Sequence, residues 1–294
     1  MQVDKVDRIS RQDFNERFVK PRRPVILTGL IDAWPAARTW SLDWFREHHG
    51  ARMVERRGAV GSVTLAQHIE ETIASTPERP APYLRNINIQ TDWPELMADV
   101  LPRIHITAPD WLSSPMLPKG WPRKAKYLNQ LFISGAGTTI PLHYDEWMMH
   151  AFITNVVGRK EFSLFPPEDG DKLYPSAEYD LVSEVPNPYR VDPVRYPLFQ
   201  QARRTSVVLE AGESVFLPCG WWHTTQTLEP CISVSSNFVN QHNWTSFRQE
   251  MVRVRRQGGQ SAWKNKALNA YLTGLGGLMQ AERVLAPGVL NPDV

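Results

Sequence analysis

The stretch Pro141-Leu142-His143-Tyr144-Asp145 decides how this chain is read. In an extended strand successive side chains point to opposite faces, so His143 and Asp145 project to the same side, where both can reach a metal about 2 Å away. His223, at the end of Pro218-Cys219-Gly220-Trp221-Trp222-His223, follows an apolar strand and brings a third ligand from elsewhere in the sheet. A His-x-Asp pair alone is more often two polar residues at a strand end. Its setting singles this one out: a β-rich sequence, aromatic flanks and the turn Gly158-Arg159-Lys160 just downstream.

Two imidazoles and one carboxylate on one side of a metal leave the opposite positions open, the arrangement used by non-haem Fe(II) oxygenases. The surrounding sequence fits such a site. Tyr127 to Ser134, His150 to Val157, Glu161 to Phe165, Thr205 to Leu209, Ser214 to Leu217 and Cys231 to Val239 are short and rich in Ile, Val, Phe and Thr, with Gly, Pro and Asn between them. Many short strands predict an antiparallel sandwich or barrel. Pro166 to Arg204 is a proline-rich insertion, and a loop of that length in a compact domain usually forms the wall or lid of a site.

Upstream, Ser10 to Phe18 reads as a capped helix, Arg23 to Leu30 as a buried strand, and Ser41 to Gly50 as a helix closed by glycine. Adjacent His48 and His49 fall on different helix faces and read as surface residues. Thr64 to Ala74 predicts a helix with Leu65, Ile69 and Ile73 on one face. Pro80 to Ile87 reads as a strand, and the Pro- and Trp-rich region 92–123 as a packed excursion with short helices such as Glu95 to Val100. The tail returns to helix in three pieces, 244–256, 263–272 and 275–285. Leu268, Tyr271, Leu272, Leu275, Leu278 and Met279 in the last two form either a cap on the barrel or a homodimer seam. The predicted division is thus 1–243 for the β domain and 244–294 for a helical extension.

The chain of 294 residues, 42% hydrophobic, has ample apolar content for a substantial core. A formal net charge of +2 gives no general attraction to nucleic acid or membrane. The basic runs 121–126, Arg203-Arg204 and 253–256 read as solvated faces. Two cysteines, Cys219 and Cys231, are too few for a disulfide scaffold and read as small core residues. With no apolar run of signal-peptide or membrane-spanning kind, the expected compartment is the cytoplasm.

The residues His143, Asp145 and His223, with Lys160, resemble those of the JmjC, or cupin-like, iron(II)- and 2-oxoglutarate-dependent oxygenases. The likeness includes Arg23-Pro24-Val25-Ile26-Leu27-Thr28-Gly29-Leu30, the core from Thr139 to Glu146, Gly158-Arg159-Lys160 before Phe162-Ser163-Leu164-Phe165-Pro166-Pro167, and Leu209-Glu210-Ala211-Gly212-Glu213 leading to His223. It is similar to the small hydroxylase branch, without the reader domains and zinc modules of the larger histone demethylases. The resemblance implies a mainly β fold with flanking helices, a double-stranded β-helix or jelly-roll, with the metal inside its open end. It implies Fe(II) on His143, Asp145 and His223, with 2-oxoglutarate and dioxygen as co-substrates. Lys160 matches the lysine that pairs with the distal carboxylate of 2-oxoglutarate, Tyr83 a tyrosine that also bonds it, and Asn237 an asparagine beside it. Several members carry Ser or Thr three residues before the first histidine. Here that position is Ile140, so Tyr83 or a shifted threonine, Thr139, takes that contact.

The implied activity is hydroxylation of a protein or peptide side chain, a small molecule or a nucleoside, with release of succinate and carbon dioxide. Demethylation by the same chemistry, and a barrel that binds without turnover, are the competing readings. A complete triad plus Lys160 favours an enzyme.

Overall fold

The computed structural model describes residues 2–285 except 58, 85, 86, 109, 115 and 118–127, with only the backbone of residues 128 and 282–285. The basic run 121–126 and the start of the strand predicted from Tyr127 lie outside the described residues.

In chain order, β1 (Asp4–Asp7) leads into α1 (Arg11–Phe14), which Ser10 caps by accepting the Asp13 N–H, and the helix widens over Asn15–Val19. Then come β2 (Val25–Thr28), α2 (Ala36–Thr39), α3 (Leu42–His49), β3 (Met53–Arg57), β4 (Ser62–Thr64) and α4 (Leu65–Ile73). A capping box starts α4, with Thr64 and Gln67 satisfying each other's backbone N–H groups. Next are β5 (Tyr83–Leu84), β6 (Ile87–Asn88), α5 (Ile89–Asp92) and a 3-10 turn over Pro94–Val100. The barrel strands are β7 (Leu128–Ser134), β8 (His150–Val157), β9 (Lys160–Phe165), β10 (Thr205–Leu209), β11 (Ser214–Leu217), β12 (Trp222–Thr227) and β13 (Cys231–Phe238), before α6 (Trp244–Gln257) and α7 (Ala262–Leu285).

Two sheets make the jelly-roll. The larger runs β1-β2-β11-β8-β13-β7-β6 and the smaller β10-β9-β12, while β4-β3-β5 forms a separate ribbon. The segment before His143 extends the smaller sheet: Gly137, Ile140 and His143 donate backbone N–H groups to the Thr227, Thr225 and His223 carbonyls. The central strands of the large sheet, β11, β8 and β13, are buried on both faces. Phe152, Phe216 and Phe238 pack outward against Phe14 and Phe18 of the N-terminal helix, and Ala151, Val215 and Leu217 pack inward with Phe162 and Leu164 of β9. Period-two alternation sends Gln130 and Phe132 of β7, Lys160 and Phe162 of β9, His223 and Thr225 of β12, and Ser233 of β13 to one lumen.

Several expectations are corrected. β12, which carries His223, is a strand that the apolar pattern did not predict, because its Thr-rich sequence faces a polar lumen. Ile73 is 51% exposed; His68 and Thr72 occupy the buried face of α4 instead. His49 is not a free surface residue, since its ring stacks on Trp93. Gly50 is right-handed at φ −57°, and close contact rather than a left-handed cap calls for glycine there: a Cβ would meet the Arg46 carbonyl oxygen at 2.1 Å.

The two terminal helices expected after residue 262 are one, α7, running through Gly274, Gly276 and Gly277. Each glycine costs about 1 kcal/mol in a helix, whereas burying Leu272, Leu275 and Met279 contributes roughly 1.5–3 kcal/mol each. The buried stripe therefore outweighs the breakers. These residues pack with Trp244, Phe247 and Met251 of α6, Trp111, Met149 and Val239, so the helices cover one end of the barrel. Gly276 admits the Trp244 indole, whose Nε1 donates to the Leu272 carbonyl at 3.0 Å; a Cβ at 276 would stand 2.2 Å from Nε1. Gly276→Ala is expected to destabilise the protein by about 1–3 kcal/mol, read as a lower thermal midpoint with faster proteolysis of the C-terminal helix. An unchanged midpoint would contradict this packing.

Candidate metal centre and its cavity

His143 lies in an extended segment bridged on one side to His223 and on the other to Val182 of the insertion. Its N–H donates to the His223 carbonyl at 3.0 Å, and the His223 N–H returns the bond at 2.7 Å. The two imidazoles are therefore neighbours, with ring centroids 4.4 Å apart. Asp145, two residues on in extended backbone, completes the group: one ligand atom from each of His143, Asp145 and His223 lies within 4.8 Å of the others.

Each histidine has one ring nitrogen already committed. A backbone carbonyl only accepts, so Nδ1–H of His143 donates to Pro141 at 2.8 Å and Nδ1–H of His223 to Trp221 at 3.1 Å. That fixes the tautomer and leaves both Nε2 lone pairs as donors to a cation, the outer-shell pattern of metal-binding histidines. Burial, helped at His143 by the neighbouring ring, pushes both imidazoles down to about 4, so neither takes up a second ring proton at neutral pH. Burial also raises the Asp145 carboxyl, an effect that a cation between the three would oppose. Two neutral nitrogens and one anionic oxygen suit a divalent first-row cation.

The three side chains open on a cavity of about 280 Å³. Lys160, only 2% exposed, also lines it, and its ammonium donates to Ser233 Oγ at 3.2 Å. Burial lowers the Lys160 pKa. Tyr83 and Asn237 line the same space, and burial raises the Tyr83 phenol, keeping its proton for donation. Thr139 is not brought in: its backbone bridges Gln226, and Ile140 takes the wall position. Thr225, two residues after His223 on β12, lines the cavity there, and the alternation His223-x-Thr225 is the signal that would have found it. The same rule on β13, Ser233-x-Ser235-x-Asn237, marks two further lining residues that sequence reading missed.

At the mouth, Tyr179 of the insertion donates its hydroxyl to Glu146, and Trp147 Nε1 donates to the other Glu146 oxygen at 3.2 Å. Leu181 and Val182 continue this wall, so the insertion does border the site. The turn after Asp145 is strained, with Trp147 at φ 63° and Met148 at φ 52°, and Asn243 holds the Met148 carbonyl at 3.0 Å. Trp221 and Trp222 are core: the Trp221 indole donates to the Arg22 carbonyl, and Trp222 meets Tyr144 edge to face. His150 is core too, between Phe216 and Phe238, with Nδ1 accepting from the Cys219 N–H. Both cysteines are buried and free.

The description of the cupin-like domain matches residues 11–243. The chain belongs to the cupin-like JmjC family. It is 33% identical over 251 residues to lysine-specific demethylase 8 of Danio rerio, covering 80% of this chain and 57% of that one. It is 26% identical to the 2-oxoglutarate and iron-dependent oxygenase JMJD4 of Gallus gallus (90% and 66% covered) and 28% identical to tRNA wybutosine-synthesizing protein 5 of Gallus gallus (76% and 72%). The chain thus spans little more than half the length of several relatives it matches. Members of the family are iron(II)- and 2-oxoglutarate-dependent oxygenases. Among the described residues no helix is long and apolar enough to cross a membrane.

The buried rings set a pH dependence. His143, His223 and His150 have folded pKa values of about 4, 4 and 3 against 6.5 when unfolded. Between these limits the unfolded chain binds more protons, so stability falls as pH falls. Asp145, raised by burial, acts in the opposite direction but is one group against three. The urea midpoint of the metal-free protein is expected to drop between pH 7 and pH 4.5. A flat or rising profile would mean that the rings are not held neutral.

Proposed function

We propose that the protein is an Fe(II)- and 2-oxoglutarate-dependent hydroxylase in which His143, Asp145 and His223 hold the iron and Lys160, with Tyr83, holds the distal carboxylate of 2-oxoglutarate. One observation carries this reading. A metal-competent triad and a buried lysine line one cavity, and among the described residues no carboxylate pairs with that lysine. A buried ammonium without a counter-ion is costly, so the site favours a ligand that brings the anion.

When bound, iron and 2-oxoglutarate would supply, with dioxygen as the oxidant, oxidative decarboxylation to succinate and carbon dioxide, coupled to insertion of one oxygen atom into a C–H bond. The chain's own part is placement. The backbone carbonyls of Pro141 and Trp221 fix the two imidazoles, and Lys160, Tyr83 and Thr225 offer donors at the co-substrate's far end. Phe132, Ile153 and Phe162 keep the walls apolar and exclude water. At the mouth, Glu146 among Tyr179 and Trp147 suits a cationic side chain, which a carboxylate and aromatic faces both attract. The names of relatives, lysine-specific and arginine-specific demethylases, point the same way and favour N-methyl groups as a second reading. Hydroxylation of an N-methyl carbon releases formaldehyde; hydroxylation elsewhere does not.

His143→Ala or Asp145→Ala is expected to cut succinate formation from 2-oxoglutarate by more than the roughly 10–100-fold typical of losing a residue that merely orients a ligand, with an unchanged circular dichroism spectrum. Wild-type turnover in either variant would remove the triad from the chemistry. Formaldehyde assayed in parallel separates the two reactions: it is absent for a hydroxylase and stoichiometric with succinate for a demethylase.

A further inference from the structure

Lys160 is not held by its own strand. Its ammonium donates to Ser233 Oγ at 3.2 Å, and Ser233 Oγ donates to Asn155 Oδ1 at 2.8 Å. Asn155 Nδ2 donates to the Leu209 carbonyl at 2.9 Å. This last bond orients the chain of donors, because a carbonyl can only accept. The Leu209 oxygen fixes which end of the Asn155 amide is NH₂, so Oδ1 must face Ser233. The hydroxyl proton of Ser233 is then drawn to Asn155, and its lone pairs are left for Lys160.

The register makes the path continuous. Ser233 of β13 pairs with Asn155 of β8 in the large sheet, and Lys160 of β9 pairs with Leu209 of β10 in the small one. The Asn155 side chain crosses from the first sheet to the second. Asn155 and Ser233 are fully buried and Lys160 nearly so, a placement that costs free energy unless every polar atom is satisfied. Asn155 does not line the cavity.

Resting on the reading of Lys160 as the carboxylate anchor, we infer that Asn155 and Ser233 are positioning residues that aim the Lys160 ammonium at the distal carboxylate of the keto acid. Ser233 takes one of the three N–H donors, which fixes where the other two point. Asn155 prevents Ser233 from turning its own proton toward the lysine. The pair thereby selects a keto acid long enough to reach the closed end of the cavity.

The test compares 2-oxoglutarate with oxalate, which can chelate a metal but has no distal carboxylate. Binding of each to the Mn(II)-loaded protein is measured by calorimetry, with thermal melting to verify folding. Ser233→Ala is expected to weaken 2-oxoglutarate about tenfold, as for a lost hydrogen bond to a charged group, and to leave oxalate unchanged. Ser233→Thr, which keeps the hydroxyl, should bind 2-oxoglutarate within about twofold of wild type, far less than the loss of that bond. Asn155→Ala should repeat the serine result if it folds; if it does not, the two serine variants decide. Unchanged 2-oxoglutarate affinity in Ser233→Ala alongside its loss in Lys160→Ala would overturn the positioning role and spare the lysine. Unchanged affinity in Lys160→Ala would overturn the anchor itself, and equal losses for both ligands would reduce the network to scaffolding.

Discussion

A pair of backbone hydrogen bonds between His143 and His223 governs the centre of this protein. Strand pairing that forces two residues into direct register leaves their side chains little freedom of position, and here it sets two imidazoles side by side. Asp145 follows by alternation from His143. Neighbouring bonds from Gly137 and Ile140 extend the pairing, so the triad's geometry is a property of the small sheet and not of a flexible loop. Val182 braces His143 from the opposite side, which makes the proline-rich insertion part of the site's frame.

The same barrel solves a harder problem, the burial of polar groups. Its interior buries the polar side chains of Lys160, Ser233, Asn155 and Asn237. Each unpartnered polar group there would cost roughly 1–3 kcal/mol. The network from Leu209 through Asn155 and Ser233 to Lys160 satisfies three of these side chains in turn and holds the Lys160 ammonium at the cavity wall, which Arg57, Asp145 and Glu146 also line. The outer face of the large sheet, by contrast, is a dry aromatic core shared with the N-terminal helix, and it bears much of the hydrophobic burial. Apolar packing outside thus permits a polar interior.

Much of this was legible in the residues. His143-x-Asp145, Lys160 after its glycine turn and the distant His223 meet in one cavity, which Tyr83 and Asn237 also line. The strand boundaries for residues 150–157 and 214–217 match because their apolar runs are buried on both faces, and those for 205–209 match although Ser206 is exposed. What escaped was polar. β12 carries His223 and Thr225 into the cavity between other polar residues, so hydrophobicity gave no sign of it, and with it went Thr225. Thr139 was placed near the co-substrate by position alone, yet the pairing of its backbone with Gln226 puts Ile140 on the wall instead. The break expected between residues 272 and 275, around Gly274, is overridden by burial of Leu275 and Met279.

The measurement that bears most directly on the central claim is a crystal structure with Mn(II) and N-oxalylglycine, using anomalous scattering to locate the metal. The account predicts a single manganese bonded to Nε2 of His143, Nε2 of His223 and a carboxylate oxygen of Asp145, with the distal carboxylate of N-oxalylglycine against the Lys160 ammonium. Manganese bound elsewhere, or a distal carboxylate turned away from Lys160, would contradict it.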